Sequence, residues 1–424
     1  MIRQAARRES IERHVRLGLI GGAAVFATWL AIMFLLGVLL AVSTSRVPVY
    51  HEHHQTVGSG EIWRERFYLI VLSLSVLIFY VSVPFVALGL LAITLVLFGI
   101  LLALRVIHLG ILSRGFFATW GVIRSAFVGS SEEVLGIIAT QRQHPQLFAA
   151  LQEVADRLAT SPVDTVYLTP SSLTGVREEG KGPFGVFRRR RVMELGVSTM
   201  SVLTTSEFKS ILAHEYAHFT NRDSVYIRFI SQATASLGNS LAVMNAAGGF
   251  INYVNPFFWA YWLYLRAYIL LAAGFSRSRE FLADRRAVLE YGTEPFASAL
   301  TRTAVDGTLF EWSAVPNVMN ELNAGRAFVN VFDTFRQFRE QAEHAGAQGK
   351  VLDDIRAAKS NWCDSHPTLS ERLAALPRVA ESNESLDSIP ATSLISEITS
   401  IEEQLTKLLT DHIQNALAGA GGNN

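Results

Sequence analysis

The chain has 424 residues, with 37 basic and 37 acidic side chains and a formal net charge of zero. That balance leaves no basic footprint, so no nucleic-acid partner is expected. Half of the residues are apolar and only 17% are charged, against about a quarter in a typical soluble domain, which points to membrane-embedded segments. The one cysteine, Cys363, excludes an intrachain disulfide and reads as a structural thiol.

Leu17 to Val42 is an uncharged apolar run, long enough for one span of about 20 residues. Arg3, Arg7, Arg8, Arg13 and Arg16 precede it and place the N-terminus in the cytoplasm by the positive-inside rule. The run is too long for a signal-peptide core and shows no small-residue cleavage site, so no cleaved leader is expected. His51, Glu52, His53 and His54 follow; an exposed histidine loop is the ordinary reading and a second metal site the alternative. Phe67 to Leu104 is again uncharged, with Pro84 and Gly89 as its only breakers. It is too long for one span, so two tightly joined spans, or one span and an interfacial helix, both fit. An even number of spans puts the remaining chain in the cytoplasm and an odd number puts it outside.

His144-Pro145 opens an amphipathic helix reaching Ala159, and this histidine is not expected to ligate a metal. Val163 to Thr169 reads as a strand. Gly175, Gly180, Gly182 and Gly185 mark a mobile loop that ends in Arg188-Arg189-Arg190-Arg191. That run either touches anionic lipid headgroups or is simply solvated. Arg191 to Val197 alternates in part and reads as a second strand of the same small sheet. An edge strand can pair with an extended peptide through its backbone, so Glu194, Leu195, Gly196 and Val197 are candidate substrate-binding residues. Thr204-Thr205-Ser206-Glu207 has the form of a capping box, and Phe208, Ile211 and Leu212 continue it at helical spacing.

That helix carries His214-Glu215-Tyr216-Ala217-His218. Residues i and i+4 share a helix face, so both imidazoles can reach one zinc ion, which takes imidazole nitrogen at about 2.0–2.1 Å. A zinc-bound water has its pKa lowered toward ~7, and Glu215 is placed to take its proton and pass it to the leaving amine. A catalytic zinc site needs a third protein ligand. Glu280 and Asp284, again i and i+4 on a helix that ends near Gly292, offer it: Glu280 as the ligand, and Asp284 as the acceptor that fixes the tautomer of a ligand histidine. Between the two motifs lie a weakly apolar stretch, Ile227 to Phe250, and a strongly apolar one, Pro256 to Phe275, interrupted by Arg266. An arginine at membrane depth needs a partner or an aqueous cavity. The two stretches form either a membrane hairpin or a pair of buried or interfacial helices.

HEYAH followed by Glu-Phe-Leu-Ala-Asp (Glu280 to Asp284) resembles the membrane-anchored gluzincin endopeptidases, typified by the heat-shock protease HtpX and the CAAX prenyl protease. The similarity covers roughly Ser131 to Arg372 and includes a His-Pro segment, His366-Pro367, with Arg372 six residues on. The resemblance implies that His366 stabilises the oxyanion of the tetrahedral intermediate and that Arg372 helps order the site. It also implies a hairpin between the motifs, a cytoplasmic catalytic domain and work in membrane-protein quality control.

The expected fold is mainly α with a small β-sheet (α+β): an integral membrane protein with N-terminal transmembrane helices and a zincin-type catalytic domain. The expected segments are an anchor over 1–110 with spans near 17–42 and 67–104, a first catalytic part over 131–225, an apolar hairpin over 226–275, a second catalytic part over 276–378, and a polar linker with a C-terminal helix over 379–424. That last helix, Leu394 to Leu417, either packs on the domain or mediates self-association into a homo-oligomer. The expected activity is zinc-dependent endoproteolysis of polypeptides, membrane proteins among them, with one zinc ion, at the lipid bilayer of the cell (inner) membrane in a multi-pass chain. Two alternatives stand beside it. A site-2-type intramembrane protease also uses HExxH, but Glu207, Lys209, Asn221 and Arg222 flank the motif and argue for a place outside the hydrocarbon core. A non-catalytic membrane scaffold would not need Glu215. No internal repeat and no phosphate-binding glycine loop is present.

Overall fold

The computed structural model describes residues 59–105, 109–127, 134–181, 187–220, 223–248, 252–253, 255–326, 330–361, 364–379 and 388–421, with isolated positions before residue 59. The first apolar run is outside the described residues apart from such isolated positions; the His51–His54 loop, Asn221, Arg222 and Cys363 lie wholly outside them. In chain order the elements are α1 (Ser59–Ala103), α2 (Leu109–Phe127), β1 (Ile137–Ala139), α3 (Pro145–Arg157), β2 (Thr165–Thr169), β3 (Gly175–Lys181), β4 (Phe187–Gly196), α4 (Val197–Val202), α5 (Thr205–Thr220), α6 (Asp223–Gly248), α7 (Pro256–Tyr291), α8 (Thr293–Asn323), α9 (Val331–His344), α10 (Ala347–Ala357), α11 (Leu369–Ala375), a short 3-10 turn (Ala391–Leu394) and α12 (Ile398–Gly421). The protein is mainly helical with one small mixed sheet.

Among the described residues, two helices are long and apolar enough to cross a membrane: Ile70–Ala103 within α1, and α7. Neither Pro84 nor Gly89 interrupts α1, which runs unbroken for 45 residues, about 68 Å at 1.5 Å per residue. The two joined spans, or span and interfacial helix, expected over Phe67 to Leu104 are therefore one helix. Gly89 is not a breaker but a contact: a Cβ there would fall within the Phe257 ring of α7. One face of α1, with Leu72, Val76, Phe79 and Val83, is buried in the bundle, while Ile70, Leu74, Leu77, Val81 and Phe85 are exposed. Helix α2, which the sequence reading passed over, packs along α1 and α6.

Helices α6 and α7 pack against each other across a turn where Asn255 caps α7 by accepting from Phe257 N–H at 3.0 Å and Pro256 occupies the first helical turn. The first half of α7 belongs to the bundle: Tyr264 donates to Ser75 O, and Tyr261 lies 3.2 Å from Ser82 Oγ. Arg266 has its partner on its own helix, its guanidinium standing 5.3 Å from the centre of the Trp262 ring, a cation–π contact. The second half of α7 packs on α5 and stops at Gly292, whose φ of 93° suits glycine.

The sheet order is β1-β2-β4-β3. β1 runs antiparallel to β2, β2 parallel to β4, and β3 antiparallel to β4. Two expectations are corrected here. The mobile loop from Gly175 is in its first part a strand, β3. Its alternation is hidden by charge, because Arg177, Glu178 and Glu179 pair across to β4: Arg177 with Glu194, Arg191 with Glu178 at 3.7 Å, and Arg190 with Glu179 at 3.0 Å. With β3 in place, β4 is an interior strand up to Glu194, which pairs with Gly175 on one side and Tyr167 on the other; Leu195 and Gly196 extend past β3 and pair with Leu168 and Thr169 of β2. Val197 is no strand residue at all but opens α4. The free edge of the sheet on this side belongs to β3.

Beneath the sheet, Val166, Leu168, Met193 and Leu195 pack with Leu147, Leu151 and Val154 of α3 and Phe208 and Leu212 of α5 in one buried core. The start of α5 is held by the capping box read in the sequence: Thr204 N–H donates to Glu207 Oε2 at 2.8 Å and Glu207 N–H donates to Thr204 Oγ1 at 3.3 Å. Glu207 is buried and also accepts from Ser298 Oγ at 2.6 Å. Glu207→Ala removes the cap and orphans these donors, so it is expected to destabilise the fold by roughly 1–3 kcal/mol, read as a lowered thermal midpoint.

The C-terminal segment straps the same point. Thr205 N–H donates to Ile389 O at 2.8 Å and Ala391 N–H to Leu203 O at 2.9 Å. His144 accepts from Ser396 N–H through Nδ1 at 3.2 Å, so it anchors the tail and stands apart from the HEYAH motif. Helix α12 packs on the domain: Leu405 is fully buried, and Arg336 of α9 grips Glu402 at 2.7 and 2.9 Å.

Candidate active site

Helix α5 presents His214 and His218 one turn apart, their rings edge to face with centres 5.0 Å apart. Helix α7 brings Glu280 to them: its carboxylate oxygens lie 3.5 Å from His214 Nε2 and 3.7 Å from His218 Nε2. These three donor atoms lie within 4.8 Å of one another. The separations are too long for hydrogen bonds. They are close to the edge of a tetrahedron with legs of 2.0–2.2 Å, about 3.3–3.6 Å. The donor set therefore fits a metal ion in both chemistry and spacing.

The other nitrogen of His214 is fixed separately. Nδ1 lies 2.9 Å from Asp284 Oδ1, one turn beyond Glu280, which leaves Nε2 as the metal-facing atom. The flat face of His214 stacks on the fully buried Phe296 of α8, ring centres 5.9 Å apart. Arg372 of α11 reaches Asp284 from the far side through two hydrogen bonds, at 2.9 and 2.5 Å, and stands 3.8 Å from Glu280. His366 Nδ1 lies 3.3 Å from Glu280 Oε1, with 70% of its side chain exposed.

The electrostatics favour positive charge where the donors converge. Burial opposes a charge on His214, but the adjacent carboxylates of Asp284 and Glu280 outweigh that and hold its pKa at about 10. Burial, with His214 beside it, pushes His218 down to about 4. Its hydrogen bond to Glu280 raises His366. A divalent cation would take the place of the His214 proton. Glu215, on the same helix, is not one of the convergent ligands. Burial lifts it to about 7, and its carboxylate accepts a hydrogen bond from the backbone N–H of Val176. The β3 edge thus runs beside the site.

His214, His218, Glu215, Glu280, Asp284, His366 and Arg372 are brought together; Glu194, Leu195, Gly196 and Val197 lie on β4 and the start of α4, and of these Glu194 pairs with β3. Three residues escaped the sequence reading. Val176 was hidden in a charged segment. Phe296 has no local signal. Arg277 sits one turn before Glu280 and is almost fully buried; the pair of arginines beside Glu280 was its only sign.

Two imidazoles, a carboxylate and a free glutamate beside them are the donor set of a metallopeptidase. Known proteins agree. The sequence profile of peptidase family M48 matches residues 184–380. A protease HtpX homolog of Syntrophobacter fumaroxidans is 27% identical over 220 residues, covering 46% of this chain and 74% of the relative. Homologs of the same name from Acaryochloris marina and Ralstonia nicotianae are each 25% identical, over 270 residues (59% of this chain, 78% of the relative) and 244 residues (56% and 74%). No solved structure matches the chain. The segment that carries the site belongs to peptidase family M48, the HtpX-related metallopeptidases anticipated from HEYAH and the Glu280–Asp284 motif.

Proposed function

We propose that the protein is a membrane-anchored zinc endopeptidase that hydrolyses peptide bonds of membrane proteins, in a quality-control role, with its catalytic part in the cytoplasm. The observation that carries this reading is the convergence of His214, His218 and Glu280 on one point beside Glu215. A zinc ion held there would polarise the scissile carbonyl and acidify a water. Glu215 takes the proton of the attacking water on its carboxylate and delivers it to the leaving amine; a base whose pKa lies near neutrality suits both steps. His366, with no partner for Nε2 among the described residues, donates to the developing oxyanion. Arg372 holds Asp284, and through it His214, in register. The substrate lies extended along the β3 edge, where backbone pairing supplies affinity with little demand on sequence.

Glu215→Gln tests the reading. Activity on an unfolded membrane-protein substrate is expected to fall about 10²–10⁴-fold with metal content unchanged. Activity that survives would leave the scaffold reading in its place. Chelation should abolish activity, and zinc added back should restore it.

A further inference from the structure

The segment from Asn361 to Arg372 is fastened to α7 at three levels. Arg372 grips Asp284, and His366 touches Glu280. The third level is Arg277. Its Nη1 donates to Asn361 O at 3.0 Å and lies 3.4 Å from Asp364 O. Positions 277, 280 and 284 follow the i, i+3, i+7 spacing of one helix face. Arg277 is 3% exposed, while Asn361, Asp364 and His366 are all exposed. A buried cation thus reaches out to backbone carbonyls of a surface loop, whose turn is closed by Asn361 N–H donating to Asp364 Oδ2 at 2.8 Å and Asp364 N–H to Asn361 O at 3.0 Å.

We infer that Arg277 is a positioning residue for His366. A donor to an oxyanion acts only if it is held where the charge develops, and a displacement near 1 Å can cost about 10²-fold. His366 is largely exposed on a loop, and its contact with Glu280 holds the ring rather than the backbone that precedes it. Arg277 holds that backbone by gripping the loop two residues before His366. An arginine suits the task because its stem packs along the helix while its rigid planar head carries several donors. The inference rests on the reading of His366 given above.

A double-mutant cycle tests it. Arg277→Met is expected to lower kcat about 10- to 100-fold with KM within about twofold of the parent, metal content unchanged, and faster amide exchange over 364–372. Arg277→Lys keeps the charge and one donor, should fall between the two, and serves if the methionine variant folds poorly. In a His366→Ala background the same Arg277 substitutions should change kcat less than twofold, because the residue they position is gone. Equal losses in both backgrounds, or loss of the metal, would overturn the positioning role while leaving His366 as the donor. A His366→Ala enzyme with parental kcat would overturn the reading of His366 itself.

Discussion

Glu280→Ala is expected to remove the metal and the peptidase activity together. Of the three convergent donors Glu280 is the only one that carries negative charge, and it alone comes from a second helix. Without it, two imidazoles of one helix turn would have to hold a divalent ion next to the Arg372 guanidinium, with Asp284 and the Glu215 base left to offset the charge. Asp284→Asn is the graded control. It keeps a hydrogen-bond acceptor near His214 Nδ1 and all three convergent donors, so it should weaken metal binding by roughly the 10–100-fold that the partner of a ligand contributes. Glu280→Ala should exceed that loss and leave the purified protein without stoichiometric metal by elemental analysis. Metal retained at the parental level would remove Glu280 from the donor set.

The two motifs were legible because each is local. HEYAH and the Glu280–Asp284 pair both place their functional side chains four residues apart, a spacing that a helix turns into a shared face whatever surrounds it. The capping box at Thr204 and the stop at Gly292 were legible for the same reason. The β3 hairpin was not. Its stability comes from cross-strand charge pairs with partners 11 to 17 residues away in Arg190, Arg191 and Glu194, so in sequence it reads as a charged, glycine-bearing loop. That single omission moved the sheet edge from β3 to β4 and took Val176 away from Glu215. Helix α2 escaped because Ser113, Arg114, Arg124 and three glycines dilute its apolar pattern. Pro84 and Gly89 misled in the other direction: a helix clasped by neighbours over much of its length tolerates both, and Gly89 is there for the Phe257 ring.

Arg372→Leu should be the most destabilising substitution at a site residue that is not itself one of the three convergent donors. Asp284 is 2% exposed, and its carboxylate accepts two hydrogen bonds from the guanidinium. Removing the arginine leaves a buried carboxylate whose remaining partner, His214, is needed elsewhere, and breaking such a pair costs about 3–5 kcal/mol. The thermal midpoint should drop accordingly, and metal affinity should fall because an uncompensated Asp284 pulls on the His214 ring. Asp284→Asn combined with Arg372→Leu removes the charge as well as its partner, so the double variant should recover most of the lost stability without recovering activity. A ladder in which the single and double variants are equally unstable would mean that Arg372 acts by packing α11 against α7 rather than by balancing Asp284.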